Sequence, residues 1–518
     1  MAIPYHNMLL PTAPQSRIET LRARRAFLVF CAALLLALAP QSRAQTAPTS
    51  LLFTYSNQSG NFTDDQIFLT FEVPSANIGT FSASYAGGAI SINSSTTLSS
   101  SIPLSAIGSG GVTISNMNGG QIYVSYGAPL ADAPPPNPSA PADPNYLTPY
   151  MYMEMTYLAA GGNQADITAI NYYSAPLQLQ TYSSGTLVQS KGFTGSTTIS
   201  SQLAAITGNS PSAVITQPGT STPLRVLGPT NYPSPDSNNN YQIGPYPTFD
   251  AYLDSVRTAN QTTTFANTFA YNPGGSSQPN YSFSYNLQAT VALDANNNDQ
   301  ITLSGTISVT TTPSGGSPGT PVVYNIGITS PVDGTGNLGL TSNELSSLLY
   351  SGVATANTVF TGSWSDLDGI VSGSTALAQS EIIGELSEGF SSGYVGSTQP
   401  DPNNGNTPYG NEPSNMWWAN TNPYTGPQPT SPFYNQYAAI ISANSNTVYG
   451  SPYADRFSNL SPDVDIYTHD NGGTNVYIDT LELVIQPTPL APVPEPSVCA
   501  MLAAGACGLL MFRRKKAA

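Results

Sequence analysis

Glu154 is the residue around which chemistry can be built. It stands in Tyr150-Met151-Tyr152-Met153-Glu154-Met155-Thr156-Tyr157, where even positions read Tyr, Tyr, Glu, Thr and odd positions read Met, Met, Met, Tyr. Side chains alternate faces along a strand, so the stretch predicts a β-strand with one apolar face and one face of aromatics around a lone carboxylate. A Glu ringed by Tyr suits the floor of a sugar-binding cleft, with Tyr152 next to it on that face. The plainer alternative is an edge strand carrying an ordinary surface Glu.

Little other reactive chemistry is on offer. The three cysteines, Cys31, Cys499 and Cys507, lie near the two ends, and His469 is the one histidine between residues 45 and 492. His-based triads and multi-His metal sites are therefore not expected, and carboxylates are left to do any proton transfer. Lys191, Arg225, Arg257 and Arg456 are the basic residues of that interval, against 27 Asp and Glu. So acidic a surface excludes nucleic acid and anionic membrane as partners, since both present negative charge, and suits a neutral ligand such as a polysaccharide. Two acidic clusters read as structural. Glu381, Glu385 and Glu388 form a helical stripe that predicts a solvated face. Asp294-Ala295-Asn296-Asn297-Asn298-Asp299 has the alternating oxygens of a calcium loop, but Asp299 and Gly305 stand where Gly and Glu are wanted. Lying between two strand-like runs, it predicts a hairpin turn, and no metal is expected.

The elements that must position Glu154 are mostly strands separated by Ser, Thr, Asn and Gly turns. Leu51–Tyr55, Gln66–Val73, Phe81–Tyr85 and the run 119–127 read as strands, followed by a proline-rich loop over 133–149. After the Glu154 strand, a turn at Gly161-Gly162-Asn163 leads to a return strand from Asp166 to Tyr173. Phe249, Tyr252, Leu253 and Val256 recur at helical spacing with Thr248 as N-cap, and Ala376–Phe390 predicts a second helix with Ile383, Leu386 and Phe390 on one side. A long loop is expected over 404–432.

Both ends read as addresses. Arg22, Arg24 and Arg25 precede the apolar run Ala26–Ala39, and Ser42-Arg43-Ala44 supplies small residues for cleavage, so 1–44 predicts a secretory signal peptide. At the other end Val493-Pro494-Glu495-Pro496-Ser497 is followed by a short apolar run and Arg513-Arg514-Lys515-Lys516. This tripartite tail resembles the PEP-CTERM sorting signal, which implies processing by an exosortase. The expected path is export, transient anchoring by the tail, and delivery to the cell surface or matrix of a Gram-negative bacterium. With no cysteine in the exported body, its core alone must stabilise it.

The body itself resembles the family 64 glycoside hydrolases, β-1,3-glucanases. The resemblance is carried by the run Gly120–Gly127, Glu154-Met155-Thr156, Leu224-Arg225-Val226-Leu227-Gly228-Pro229, Phe249-Asp250-Ala251-Tyr252, Asn435-Gln436-Tyr437-Ala438, and the run 448–455, in that order. It implies a mainly β fold, a thaumatin-like β-barrel or sandwich domain with a second mixed α/β domain forming a cleft. The expected division is a β-rich part over 45–200, a mixed α/β part over 201–395, the remainder of the body over 396–485, a linker over 486–492 and the sorting tail over 493–518.

The resemblance also implies roles. Glu154 matches the general acid of an inverting hydrolysis, a mechanism that places two carboxyls ~6.5–9.5 Å apart around a water. Thr156 and Thr168 match positions that contact sugar. The position matching the general base is Asn171, whose amide cannot take a proton at neutral pH; Asp166 could substitute, but an offset of five places it on the opposite face of a regular strand unless a bulge brings it back. Gln121 and Leu158 stand where the family carries Arg and Asn. Three readings follow: a β-1,3-glucan-binding protein with impaired hydrolysis, an active glucanase with a relocated base, or a non-catalytic structural surface protein. No cofactor is expected. The expected partners are β-1,3-glucan or a related polysaccharide, the export machinery and an exosortase.

Overall fold

The computed structural model describes residues 47–158, 163–231, 243–272, 278–294, 297–332, 342–351, 359–362, 373–418, 434–452, 462–470 and 472–490, with single positions 367, 370, 424 and 457. The expected signal peptide over 1–44 and the expected sorting tail over 493–518 lie outside the described residues, as do Gly161 and Gly162 of the expected turn. Apart from Ala47, the described residues fall in one compact unit that begins at Pro48. Among them, no helix is long and apolar enough to cross a membrane.

The fold is mainly β. The principal sheet runs in the order Ser445–Asn446, Thr186–Phe193, Leu177–Ser183, Thr480–Ile485, Leu51–Asn57, Val112–Tyr126, Tyr150–Tyr157, Gln164–Ile167, Val464–Asp465. Along this path the pairing is antiparallel except between Leu51–Asn57 and Thr480–Ile485, which brings the first strand beside the last. Three late segments of the chain, Ser445–Asn446, Val464–Asp465 and Thr480–Ile485, are built into a sheet made mostly by the first 200 residues. The strand Val112–Tyr126 is kinked by a register shift between Met117 and Gly120. A Cβ at Gly120 would fall 2.2 Å from Met117 Cε and 2.8 Å from the Glu72 carbonyl, so glycine alone lets the kinked strand lie this close.

The central strand covers Tyr150–Tyr157, as its alternation predicts. Its faces differ from the expectation. Met151, Met153 and Met155 are buried, but so are Tyr150 and Tyr152, and the strand opens to solvent only at Glu154 and Thr156. The covering comes from neighbours. Tyr152 packs between the rings of Tyr123 and Tyr172, at centroid distances of 5.7 and 5.8 Å. The Arg225 guanidinium lies 4.1 Å from the centroid of Tyr150 and donates to the carbonyls of Pro138, Tyr146 and Thr148, pinning the proline-rich loop beneath the sheet.

The return strand is shorter than its sequence suggests. It spans Gln164–Ile167, touches Tyr449 through a single bridge at Thr168, and gives way to a separate two-residue strand at Tyr172–Tyr173. The break arises because the backbone of Ile170 and Asn171 is claimed elsewhere. Gly228 N–H donates to the Asn171 carbonyl at 2.7 Å, and the Thr230 hydroxyl donates to the Ile170 carbonyl at 2.8 Å. A Cβ at Gly228 would sit 2.4 Å from the Ile170 oxygen, so only glycine permits this approach.

A five-stranded antiparallel sheet, from Thr262–Tyr271 through Asn280–Leu293, Asp299–Thr312 and Val322–Val332 to Val359–Gly362, forms the second β layer. Phe283, Tyr285, Leu287 and Ala289 are buried while Ser284, Asn286 and Gln288 are exposed, the period of two that half-buried strands require. The segment Asp294–Asp299 closes a hairpin in which Leu293 pairs with Asp299 and the Asp294 carboxylate accepts from Asn298 N–H at 2.9 Å.

Helices cover part of this sheet, with two corrections to the expectations. The helix Asp250–Thr258 takes Phe249 rather than Thr248 as N-cap, and the Thr248 hydroxyl instead donates to Asp250 Oδ2 at 2.8 Å. The helix Ser374–Ser391 does bury Ile383, Leu386 and Phe390, but its acidic stripe is not solvated. Glu381, Glu385 and Glu388 are 3 %, 0 % and 0 % exposed. Glu385 Oε1 accepts from Asn267 Nδ2 and Trp418 Nε1, both at 2.9 Å, and Oε2 accepts from the Tyr285 hydroxyl at 2.5 Å. Glu388 accepts from Ser392 and Ser451 at 2.7 and 2.6 Å. These carboxyls knit the helix to the sheet and to the short helix Ser414–Trp417, which stands inside the stretch expected to be loop.

Candidate active site

The pairing of three strands places the site. In the antiparallel register Glu154 lies directly opposite Gln121 on one side and Asp166 on the other. Residues so paired share a face, with Cβ atoms about 4.5–5.5 Å apart. Asp166 is therefore the cross-strand neighbour of Glu154, a relation that counting along one strand from Asn171 does not reveal. On the far side of the Gln164–Ile167 strand, Val464 pairs with Ala165. Asp463, one residue earlier, falls beside Asp166 and extends the row to a third carboxylate.

Two cavities open along this row and share Glu154, Gln164 and Asp166 in their walls. The larger, about 300 Å³, is lined also by Tyr152, Thr168, Asn171, Tyr449 and Asp463. The smaller, about 140 Å³, is lined by Gly119, Gln121 and Thr156 among others. Every site residue expected from the sequence thus lies on one cavity or the other. Tyr152 contributes an edge rather than a stacking face, because it is 7 % exposed and its ring is packed on both sides. Thr156 Oγ1 accepts from Gly119 N–H at 2.9 Å, which fixes its hydroxyl at the cavity wall.

Asn171 lines the larger cavity but stands outside the carboxylate row. Its side-chain oxygen accepts from the Thr230 hydroxyl at 3.2 Å, its amide hydrogen-bonds the Tyr152 hydroxyl, and Asn231 Nδ2 donates to its carbonyl. Asp463 and Arg225 are the residues that sequence reasoning missed. Asp463 is far away in the chain and arrives only through strand pairing; Arg225 was visible as one of four cations but not as the post beneath Tyr150.

Glu154 is embedded in a hydrogen-bonded relay. Gln121 Nε2 donates to Glu154 Oε1 at 3.1 Å, while the Tyr123 hydroxyl lies 2.7 Å from Gln121 Oε1 and 2.8 Å from Glu72 Oε2. Burial pushes the Glu154 carboxyl above its ordinary range; the Gln121 hydrogen bond opposes this, and the negative charges of Glu72 and Asp463 add to it. A neutral amide at position 121, where an Arg would favour the carboxylate, leaves Glu154 suited to hold a proton. Such a group can protonate a leaving oxygen near neutral pH.

The same physics sets the pH dependence of stability. Burial is the largest cause raising the carboxyls of Glu72, Glu154, Asp299 and Glu385. The folded protein therefore binds these protons more tightly than the unfolded chain. Their stabilising contribution is fully present below the unfolded carboxylate range and is lost as pH rises through the raised folded values. Tm should climb as pH is lowered from about 8 toward about 5. A Tm falling steadily over that interval in a thermal scan would contradict this assignment.

Among the described residues, no group of three or more His, Cys, Asp or Glu is arranged to hold a metal ion. What the arrangement can do is acid–base work between carboxylates across a groove.

Residues 63–312 match the family model of the family 64 glycoside hydrolases, described as β-1,3-glucanase. The matched stretch contains Glu154, Asp166, Thr168 and Asn171 and ends before Asp463. Among curated proteins the chain has no match. Similar solved structures include a laminaripentaose-producing β-1,3-glucanase in complex with laminaritetraose, at 17% identity and a TM-score of 0.46, with 85% of this chain and 99% of that one covered. A β-1,3-glucanase domain of the same family from Clostridium beijerinckii is 14% identical, with a TM-score of 0.44 and coverage of 86% and 100%. The laminaripentaose-producing enzyme from Paenibacillus barengoltzii, complexed with laminarihexaose, is 14% identical, with a TM-score of 0.45 and coverage of 87% and 78%.

Proposed function

We propose that this chain binds β-1,3-glucan along the Glu154–Asp166 row and hydrolyses it. The observation that carries the reading is the direct cross-strand pairing of Glu154 with Asp166 in the wall of a shared cavity. Glu154 gives its proton to the glycosidic oxygen as the bond from the anomeric carbon breaks toward that oxygen. Asp166 takes a proton from the water that attacks the same carbon from the opposite face, which requires the two carboxyl groups to splay from their adjacent strand positions to the ~6.5–9.5 Å that an intervening water needs. The match over 63–312 supports the substrate class.

A second reading is favoured by Asn171. If the chemistry needs a base at that position, its amide cannot serve, and turnover would be lower by about 10²–10⁴ while binding persists. Laminarin digestion separates the two. On the first reading the wild-type protein releases reducing sugar, Asp166→Asn abolishes the release, and Asn171→Asp changes it by less than about threefold. A gain of about tenfold or more in Asn171→Asp, from a poorly active wild type, would establish the second reading instead.

We further infer that the protein is exported and loses both ends. The support is the charged, apolar and small-residue order of 1–44 and the motif, apolar run and basic cluster of 493–518. Mass spectrometry of the cell-surface fraction should find neither Met1–Ala44 nor Arg513–Lys516. Mature protein that retains Arg513–Lys516 contradicts the sorting reading.

A further inference from the structure

We propose that Asp463 is a substrate-binding residue of this cleft, accepting hydrogen bonds from hydroxyls of the sugar unit beside the Glu154–Asp166 pair. The inference rests on the hydrolase reading above and adds a residue that lies outside the matched stretch. Three observations support it.

Asp463 shares the wall of the larger cavity with Glu154 and Asp166. The register that pairs Val464 with Ala165 sets it two strands from Glu154. With strands spaced about 4.7–4.9 Å apart, that is roughly 9–10 Å of backbone separation, room for a sugar unit between the outer carboxylates.

Asp463 is also held in place from two sides. The Tyr449 hydroxyl lies 3.3 Å from its Oδ1, and Lys191 Nζ donates to its main-chain carbonyl at 2.8 Å. Tyr449 is itself anchored, since its carbonyl accepts from Ala169 N–H at 2.8 Å beside Thr168. A group oriented before the ligand arrives loses less freedom on binding.

The chemistry suits the role. An acid and a base complete the hydrolytic pair, so a third carboxylate is not needed for proton transfer. An ionised carboxylate accepts about four hydrogen bonds through its two oxygens. A hydrogen bond from a sugar hydroxyl to a carboxylate is charge-assisted and roughly twice as strong as one between neutral groups.

The test separates binding from chemistry. Asp463→Asn, and Tyr449→Phe as a milder variant that removes the orienting hydroxyl, are assayed on laminarihexaose for KM and kcat. Direct binding of the same sugar is measured by calorimetry in the Glu154→Gln background. Asp463→Asn should raise KM and Kd about 10- to 100-fold with kcat within about threefold, and Tyr449→Phe should move them the same way by less. Unchanged KM and Kd in both variants overturn the proposal. A kcat loss beyond about 10²-fold that added azide restores in Asp463→Ala also overturns it, because that residue would then be the base. Failure of the Glu154→Gln protein and the wild type alike to bind laminarihexaose removes the hydrolase reading itself, a result distinct from either.

Discussion

Glu154→Gln is expected to lower laminarin hydrolysis by about 10²–10⁴-fold, the contribution of a positioned general acid. The amide can still accept the Gln121 hydrogen bond through its oxygen, so strand pairing and cavity shape should be retained. Kd for laminarin oligosaccharides should accordingly stay within about threefold of the wild type, which places the loss in kcat. The pH profile adds a second reading. Because burial, with the charges of Glu72 and Asp463, raises the Glu154 carboxyl, the alkaline limb of kcat in the wild type should lie above the ordinary carboxylate range. Glu154→Asp should keep some activity. Equal hydrolysis by wild type and Glu154→Gln, measured as reducing sugar released, would remove Glu154 from the chemistry.

Glu385→Ala is expected to have the largest effect on stability. The substitution removes the shared acceptor of the buried Tyr285 hydroxyl and of the half-buried Asn267 amide and Trp418 indole N–H, and leaves a cavity among them. Each buried donor left unpaired costs about 1–3 kcal/mol, and the combined loss, which is not additive, should be on the order of 3–5 kcal/mol. Glu385→Gln keeps an acceptor and removes the burial of a charge, so it should remain within about 1 kcal/mol of the wild type at neutral pH. Urea unfolding followed by Trp fluorescence checks both. An Ala variant as stable as the wild type would mean that the buried carboxyl is not the tie between the helix Ser374–Ser391 and the sheet.

How far the fold and site were legible in the sequence can be argued from these residues. Alternation along Tyr150–Tyr157 is written in side-chain type, and the stretch is a strand. The exposed face around Glu154 was not fully legible. Whether Tyr152 faces water depends on Tyr123 and Tyr172, which come from other strands. The stripe of Glu381, Glu385 and Glu388 misleads for a related reason. Polar residues at helical spacing usually face solvent, and only donors from three separate segments make their burial affordable.

Pairing was the harder problem. An offset of five from Asn171 sets Asp166 on the opposite face only if the segment to Tyr173 is one regular strand. In the fold that strand ends at Ile167, diverted by Gly228 and Thr230, and the relation that matters runs across strands to Glu154. Asp463 could not be found by local reasoning at all, because strand register is set by tertiary packing. Motif resemblance, by contrast, needs no register, and the Glu154, Thr156 and Thr168 that it names line the two cavities.

On the proposed mechanism, Glu154 and Asp166 cleave β-1,3-glucan with a water between them. Proton NMR of laminarin during the first minutes of digestion tests it most directly, since it reports both cleavage and the anomer first released. The account predicts an α-anomeric signal that appears before mutarotation, lost in Glu154→Gln and in Asp166→Asn. A β-anomer released first would make Asp166 a nucleophile rather than a base, and a spectrum that does not change would contradict hydrolysis altogether.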